Sequence, residues 1–164
     1  MRAVIRSAHL SFVATVAADG RPNLSPKGTI GVWDDTCLFF LDLASPNTRA
    51  NLAREPRLEL NVVEQLSRRG YRFAGRATVY PSGTAEYLTG VARIYGDAQP
   101  RPAPVAVVVL KVDAAAPLLS PAYYRGLDET TLRAQWRARR AALDAEFEAY
   151  LAQVDPVRIH ETAT

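Results

Sequence analysis

The feature that most constrains the fold is a succession of short strand patterns through the first two-thirds of the chain. The apolar side chains at residues 10, 12, 14 and 16 alternate with the side chains at residues 11, 13, 15 and 17. This segment leads into Asp19-Gly20, a dipeptide typical of a hairpin turn. Further strand patterns lie at residues 21–33, 36–42, 57–64, 71–80 and 105–112. Because six twisted antiparallel strands remove their exposed edges best by closing on themselves, we expect an α+β barrel of six strands.

Two peripheral helices have clear boundary signals. Ser45 is a favourable N-cap, Pro46 suits the first helical position, and Pro56 ends the helix about three turns later. A second helix is expected from about Thr84 to Tyr95, with Gly96 after it as the stop signal.

The longest helix is expected near the C-terminus, at about 128–154, where apolar side chains recur at helical spacing. The chain of 164 residues has 48% hydrophobic and 23% charged residues, which is ordinary for a globular protein. We therefore predict one domain over residues 1–164, with a barrel core at about 10–113 and a C-terminal helical extension.

Charge and hydropathy exclude some classes of function. The net charge of +3 is spread along the chain, and the basic run at residues 133–140 lies on a polar helix face without interleaved aromatic residues, so no nucleic-acid partner is expected. No segment approaches the roughly 20 apolar residues of a membrane span. We expect a protein of the cytoplasm with no membrane partner.

Metal and disulfide chemistry are also not expected. The single cysteine, Cys37, lies in an apolar strand pattern, where packing is its expected role. The only histidines, His9 and His160, are far apart in sequence, so no cluster has metal-ligand spacing.

The helix that begins at Ser45 is the strongest local sign of a binding site. A helix start leaves backbone N–H groups unpaired and attracts anions, phosphate above all. The first turns add hydroxyl, amide and guanidinium donors, which are Ser45, Asn47, Thr48, Arg49 and Asn51. The alternative is that Ser45 only caps a surface helix and that the other side chains are solvated.

The segment Asn23 to Gly28, NLSPKG, interrupts a strand pattern with residues that strands avoid. Pro26 removes a backbone donor, and Gly28 weakens a strand interior. If this strand lies beside the strand at 36–42, Lys27 comes near the start of the Ser45 helix and can bind the same anion, with its ammonium at the mouth of a cleft. The alternative is an edge strand with a lysine in solvent.

Three segments in this order, PNLSPKGTIGVW, LFFLDLASPNTRANLAREPRLELNVV and SRRGYRFAGRATVY, resemble the flavin-binding split barrels of the pyridoxamine 5′-phosphate oxidase-like family. The resemblance covers about residues 10–112. It implies a six-stranded antiparallel split β-barrel, usually a homodimer, with FMN bound between the two subunits. The cofactor-binding residues that it implies are Asn23, Ser25, Pro26, Lys27, Asp42, Ser45, Asn47, Thr48, Arg49 and Asn51, and it places a further flavin contact near residues 69–72.

The resemblance implies an FMN-dependent oxidoreductase that acts on a small-molecule substrate. The cofactor would carry the redox chemistry. No catalytic acid or base can be assigned from the sequence. Three alternatives stay open, namely a flavin-binding or flavin-sensing protein without activity, a deazaflavin-dependent reductase, and a haem-binding relative.

The chain also departs from the family pattern. Pyridoxamine phosphate oxidases proper have an Arg-Lys pair where this chain has Asn47-Thr48, so neutralisation of a phosphate would depend on Lys27 and Arg49. The likeness of Arg158 and His160 to the substrate-reading Arg-x-His element of those oxidases is superficial. Tyr123 and Tyr124 either line a pocket for a planar ligand or belong to a structural loop.

Overall fold

The computed structural model describes residues 1–98, 100 and 102–153. Backbone contacts divide the chain into two compact units. Among the described residues, the first consists of residues within 1–64 and 68–120, and the second consists of residues 65–67 and 121–153.

The first unit is a curled antiparallel half-barrel with three helices. Its elements are α1 (Arg2–Ala8), β1 (Ser11–Val16), β2 (Pro22–Lys27), β3 (Gly31–Val32), β4 (Cys37–Asp42), α2 (Pro46–Arg54), β5 (Arg57–Glu64), β6 (Arg69–Pro81), α3 (Ala85–Tyr95) and β7 (Ala106–Leu119). The strands form one sheet in the order β2-β1-β5-β6-β7-β4-β3. The predicted α+β class and antiparallel sheet are confirmed.

The prediction of six strands is wrong, because the described residues form seven. The predicted arm at 21–33 is two strands with different partners. Residues of β2 pair with β1, whereas Gly31 and Val32 pair with β4 at the opposite edge of the sheet. The chain changes partner at residues 28–30, where Gly28 follows Lys27.

A side chain joins the two parts of the sheet at this crossing. Thr29 Oγ1 donates to the carbonyl oxygen of Leu41 at 3.2 Å and accepts from the amide of Leu41 at 3.1 Å. Thr29 therefore satisfies both backbone groups of one β4 residue, as a paired strand residue would.

The core lies inside the curl of the sheet. Phe40, Leu60, Phe73 and Leu110 are each at most 2% exposed, and α1 contributes Ile5 to the same cluster. A second cluster around Phe39 and Tyr87 lies beneath α3. Residues 38–42 are all buried, which confirms the prediction that this strand is covered on both faces.

Two further elements differ from the sequence-based prediction. Helix α1 was not predicted, and β7 continues to Leu119, well beyond the predicted end at residue 112. The additional part of β7 pairs with β6 beyond an irregularity between Ala74 and Gly75. Helices α2 and α3 lie where the sequence predicted them.

The second unit contains α4 (Pro121–Tyr124) and α5 (Glu129–Leu151). Asp128 caps α5, because its carboxylate accepts from the amide of Thr131 at 2.8 Å. Tyr123 Oη donates to the carbonyl oxygen of Ser67 at 2.5 Å, which favours the structural reading of this loop. None of the helices among the described residues combines the length and apolar character that a membrane span requires.

Candidate functional site

Lys27 is a buried lysine at the end of β2. It is 5% exposed, and its Nζ donates to Ser25 Oγ at 2.5 Å, to Ser45 Oγ at 2.6 Å and to the carbonyl oxygen of Pro26 at 3.3 Å. The ring centroid of Phe40 lies 5.7 Å from Nζ. We call Lys27, Ser25 and Ser45 the Lys27 group.

The expectation that the Lys27 ammonium reaches the mouth of a cleft is wrong. Lys27 pairs with Ser11 of β1, whose side chain is also buried, and directly opposite residues of a strand pair share a face of the sheet. The side chain therefore points to the inner face. The predicted approach of Lys27 to the start of the next helix is what the structure shows.

The charge of Lys27 is poorly balanced. All three acceptors of its ammonium are neutral, and no carboxylate oxygen of the described residues lies within 4.0 Å of it. Burial lowers the pKa of Lys27, and the attraction of the Asp42 carboxylate offsets only part of that shift. A buried cation with neutral partners is costly, so an anion bound here would stabilise it.

The start of α2 supplies further donors beside Lys27. Ser45 is the N-cap by its backbone, but its hydroxyl accepts from Lys27 and does not cap the helix. The amides of Asn47 and Thr48 have no acceptor within the part of the chain that the structure describes. These N–H groups and the helix dipole favour an anion at the same place.

Asp42 and Arg49 form an ion pair behind this helix start. Asp42 is 1% exposed, and its carboxylate accepts from the amide of Ser45 at 2.8 Å and from Arg49 Nη1 at 3.1 Å. Asp42 thus orients the first turn of α2. Much of the charge of Arg49 is compensated by Asp42, which leaves Lys27 as the main cation for a ligand.

A cavity of about 330 Å³ opens beside the Lys27 group. Its lining residues are Ser25, Pro26, Lys27, Gly28, Thr29, Leu41, Leu43, Ala44 and Ser45. Four of the predicted cofactor-binding residues therefore share one cavity, with polar donors on one side and apolar side chains on the other.

Three other predicted residues belong to a second polar cluster. Asn23 Nδ2 and Asn51 Nδ2 both donate to Thr15 Oγ1, at 3.1 and 3.0 Å, and Asn23 Nδ2 lies 3.5 Å from Thr48 Oγ1. We call these four residues the Thr15 group. It ties α2 to β1 and β2, and Thr15, which holds its centre, was not predicted from the sequence.

The side chains of the remaining predicted positions do not line the cavity. Asn47 is exposed on the first turn of α2. Arg72 contacts Asn61 at 3.3 Å and Glu59 at 3.6 Å on the surface of the sheet. Tyr124 is 80% exposed. The predictions on Arg158 and His160 lie outside the described residues.

A larger cavity, of about 540 Å³, lies on the outer face of the sheet. Its floor includes Ala14, Val16 and Ala74, and Glu55 and Arg57 stand at its rim. These two side chains pair with each other at 2.9 Å, and hydrogen bonds from Arg57 lower the pKa of Glu55 to about 2. Glu59 and Asp113 also line this cavity, so its lining is net negative, and the smaller cavity at Lys27 is the better candidate for binding an anion.

Comparisons with known proteins match this architecture. The sequence profile of the pyridoxamine 5′-phosphate oxidase family matches residues 1–118. The crystal structure of HupZ from Group A Streptococcus is similar with a TM-score of 0.62 and 32% identity, over 73% of this chain and 92% of HupZ. The search of curated proteins found no significant match.

Two more distant structures share the fold. An F420 reductase is 21% identical with a TM-score of 0.56, over 70% of this chain and 94% of its own. An FMN-binding protein from Nostoc punctiforme, related to pyridoxamine 5′-phosphate oxidase, is 16% identical with a TM-score of 0.53, over 70% of this chain and 79% of its own. At these identities the similarity shows the fold alone.

Proposed function

The chain belongs to the pyridoxamine 5′-phosphate oxidase family, and from this premise we propose that it is an FMN-dependent oxidoreductase acting on a small organic substrate. The observation that carries the proposal is the buried ammonium of Lys27. It has only neutral hydrogen-bond partners and lines a cavity at the start of a helix. This is where a phosphate group would gain most from binding.

The donors at this place fit a phosphate. The ammonium of Lys27, the hydroxyls of Ser25 and Ser45, and the unpaired amides of Asn47 and Thr48 together offer one positive charge and several N–H or O–H groups. A bound phosphate would turn an uncompensated buried charge into an ion pair.

The same residues set limits on the proposal. The Asp42 carboxylate would repel a phosphate unless Arg49 continues to neutralise it, so we expect this ion pair to persist in the loaded protein. The chain has Asn47-Thr48 where the oxidases proper have two cations. We therefore do not propose pyridoxamine phosphate as the substrate.

When bound, FMN supplies hydride or electron-pair transfer at its N5 atom. The protein's part is to hold the phosphate at the Lys27 group and to fix the orientation of α2 through Asp42. No side chain is assigned as a catalytic acid or base, so we expect protons of the substrate to come from solvent.

A deazaflavin is the second candidate cofactor. An F420 reductase shares the fold, so the fold accommodates either cofactor. The donors at Lys27 accept any phosphate-bearing tail, so they do not distinguish the two cofactors. A flavin-binding protein without activity would use the same residues.

We also propose a homodimer, as the family resemblance implies. Phe12, Val16 and Leu24 are 43%, 45% and 64% exposed and lie on one outer face of β1 and β2. Adjacent exposed apolar side chains of this size are typical of an interface. Sedimentation that showed only monomer with flavin bound would contradict this part of the proposal.

The cofactor itself is tested by mass spectrometry of what heat releases from the purified protein. FMN or a deazaflavin is the expected result, and the absorbance spectrum of the intact protein distinguishes these from haem. Release of haem, or failure to bind either flavin or a deazaflavin, would contradict the proposal. Turnover with a reduced nicotinamide then separates an enzyme from a binding protein without activity.

The phosphate site is tested by titrating the cofactor-free protein with FMN and with riboflavin, which lacks the phosphate. Lys27→Met keeps the buried stem and removes the charge, so FMN should bind about 10- to 150-fold more weakly, which corresponds to about 1.5–3 kcal/mol. Riboflavin affinity should not change.

The chain offers a matched control, because its only other lysine is Lys111, which is exposed on β7. Lys111→Met makes the same change in charge and should leave the affinities for both ligands unchanged. If Lys27→Met weakens FMN and riboflavin equally, the lysine contacts the flavin ring and the phosphate site is elsewhere.

A further inference from the structure

Helix α5 lies beyond residue 118, where the family match ends, and it carries an exposed apolar stripe. Leu143, Phe147 and Tyr150 are 43%, 57% and 59% exposed. Their spacing of four and three residues puts them on one face of the helix. An apolar stripe of this kind on a surface helix is typical of an interaction site.

The charges of α5 are segregated along its length. Apart from Glu129 in the first turn, four arginines lie before the Ala142–Leu143 peptide and three carboxylates lie after it, namely Arg133, Arg137, Arg139, Arg140, Asp144, Glu146 and Glu148. Arg140 is paired with Asp144 within the helix at 2.7 Å. Among the described residues, Arg137, Arg139, Glu146 and Glu148 have no ion-pair partner.

The unpaired charges are placed symmetrically. Arg139 lies as far before the Ala142–Leu143 peptide as Glu146 lies after it, and both flank the same side of the stripe. Arg137 and Glu148 are related by the same centre but lie on the far face of the helix from the stripe. A second α5 that runs antiparallel would therefore place its Glu146 opposite Arg139, whereas a parallel one would place Arg139 opposite Arg139.

We propose that α5 is a self-association surface that pairs with α5 of a second copy in antiparallel orientation, about a two-fold axis near the Ala142–Leu143 peptide. A two-fold interface requires such a self-complementary surface. The inference does not depend on the identity of the cofactor.

Disulfide trapping tests the orientation, in full-length protein that carries Cys37→Ser so that no native thiol remains. Leu143→Cys puts two thiols beside the axis, and mild oxidation should link the copies rapidly. Tyr150→Cys lies on the same stripe, but in an antiparallel pair its two copies are about 22 Å apart at 1.5 Å per residue, so it should not link. Ala145→Cys, on the opposite face, gives the rate of random collision.

Each pattern of linking decides the question. Rapid linking at Leu143→Cys, with Tyr150→Cys at the rate of Ala145→Cys, supports the antiparallel pair. Linking at both stripe positions would show a parallel pair and overturn the proposal. Linking at neither, or at Tyr150→Cys alone, would overturn it as well.

Charge reversal tests the basis of the pairing, with the rate of linking at Leu143→Cys as the readout so that contacts elsewhere do not contribute. Arg139→Glu and Glu146→Arg should each slow linking by about tenfold at low salt. The double variant should restore the original rate, and a mixture of the two single variants should link to each other. If the double variant stays slow, these charges do not pair and the proposal fails.

Both reversed side chains are exposed, so folding should be unaffected. Circular dichroism of each variant checks this. A variant that keeps the helical signal but loses linking reports on the contact alone.

Discussion

The Lys27 group and the Thr15 group both join strand residues to the first turns of α2 through polar side chains, yet they differ in charge balance. The Lys27 group contains one full charge, has only neutral acceptors and lines a cavity. The Thr15 group is neutral, and its buried members, Thr15, Thr48 and Asn51, are each at most 7% exposed.

This comparison shows that burial and polarity do not by themselves identify a ligand contact. No buried polar side-chain atom of the Thr15 group lacks a hydrogen-bond partner, and the group carries no charge, so a ligand would add little to it. The Lys27 group is incomplete until an anion binds. We therefore expect substitutions in the Thr15 group to change stability and substitutions in the Lys27 group to change affinity for the ligand.

The largest expected effect on stability is that of Asn51→Ala. This change removes a buried hydrogen bond to Thr15 Oγ1 and leaves a gap, so the free energy of unfolding should fall by about 1–3 kcal/mol in urea titrations. Asn47→Ala removes the same amide from an exposed position of the same helix and should cost less than about 0.5 kcal/mol. If Asn51→Ala left stability unchanged and lowered the affinity for FMN, the proposed difference between the two groups would be wrong.

The pH dependence of FMN binding should come from the Lys27 group. The ammonium form binds the phosphate, so affinity should fall about tenfold per pH unit once the pH exceeds the pKa of Lys27 in the ligand-free protein. Burial lowers this pKa, so the decline should begin below 10.5, the ordinary value for lysine. Riboflavin carries the same ring, and an equal decline for riboflavin would show that the ring titrates instead.

Lys27→Met should slightly stabilise the ligand-free protein or leave its stability unchanged, whereas Asn51→Ala should destabilise it. Because folding lowers the pKa of Lys27, its charge opposes folding at neutral pH, and this opposition fades as the pH rises from the folded-state pKa towards 10.5. The variant should be as stable as the parent or more stable by up to about 1 kcal/mol at pH 7. A loss above about 2 kcal/mol would mean that the serine bonds dominate.

The smallest effect is expected for Thr48→Val. Its hydroxyl is buried and lies 3.5 Å from Asn23 Nδ2, so FMN affinity should change by less than about threefold. The backbone amide, which faces the helix start, is retained. A tenfold loss for FMN without a loss for riboflavin would assign this hydroxyl to the phosphate and move Thr48 into the Lys27 group.

Local signals in the sequence were enough to predict the elements whose ends are marked by capping or turn residues. Ser45 and Pro46 mark the start of α2, and Gly96, with a φ of 60°, ends α3 where only a residue without a side chain is comfortable. The alternation along β1 and the Asp19-Gly20 turn predict the first hairpin for the same reason.

Elements that depend on tertiary contacts were missed. Helix α1 has no side-chain cap at its start and is held by burying Ile5 and Ala8 against the sheet. The second half of β7 includes Pro117 and several alanines, which favour strands weakly, and it is held by pairing with β6. No local pattern could have predicted either.

The site was predictable in part. Lys27 lies near Ser45, as the sequence suggested, but the premise that its strand lies beside the strand at 36–42 is wrong. β2 pairs with β1, and the curl of the sheet brings its end to the start of α2. The burial of Lys27 could not be predicted, because the face on which it lies depends on how the edge of the sheet curls. The central role of Thr15 was also hidden, since its partner Asn51 is 36 residues away in the chain.

The bridge between Thr29 and Leu41 has a consequence for how a ligand enters. Both residues line the cavity at Lys27, and their contact consists of two hydrogen bonds through a single hydroxyl. Rotation of the Thr29 side chain can therefore break the contact between Thr29 and Leu41. Separating two paired strands would instead require several backbone hydrogen bonds to break together. The amide of Leu41 should then exchange its hydrogen with solvent through local opening, faster than its buried neighbours in β4. Its exchange rate would report how often the cavity is open.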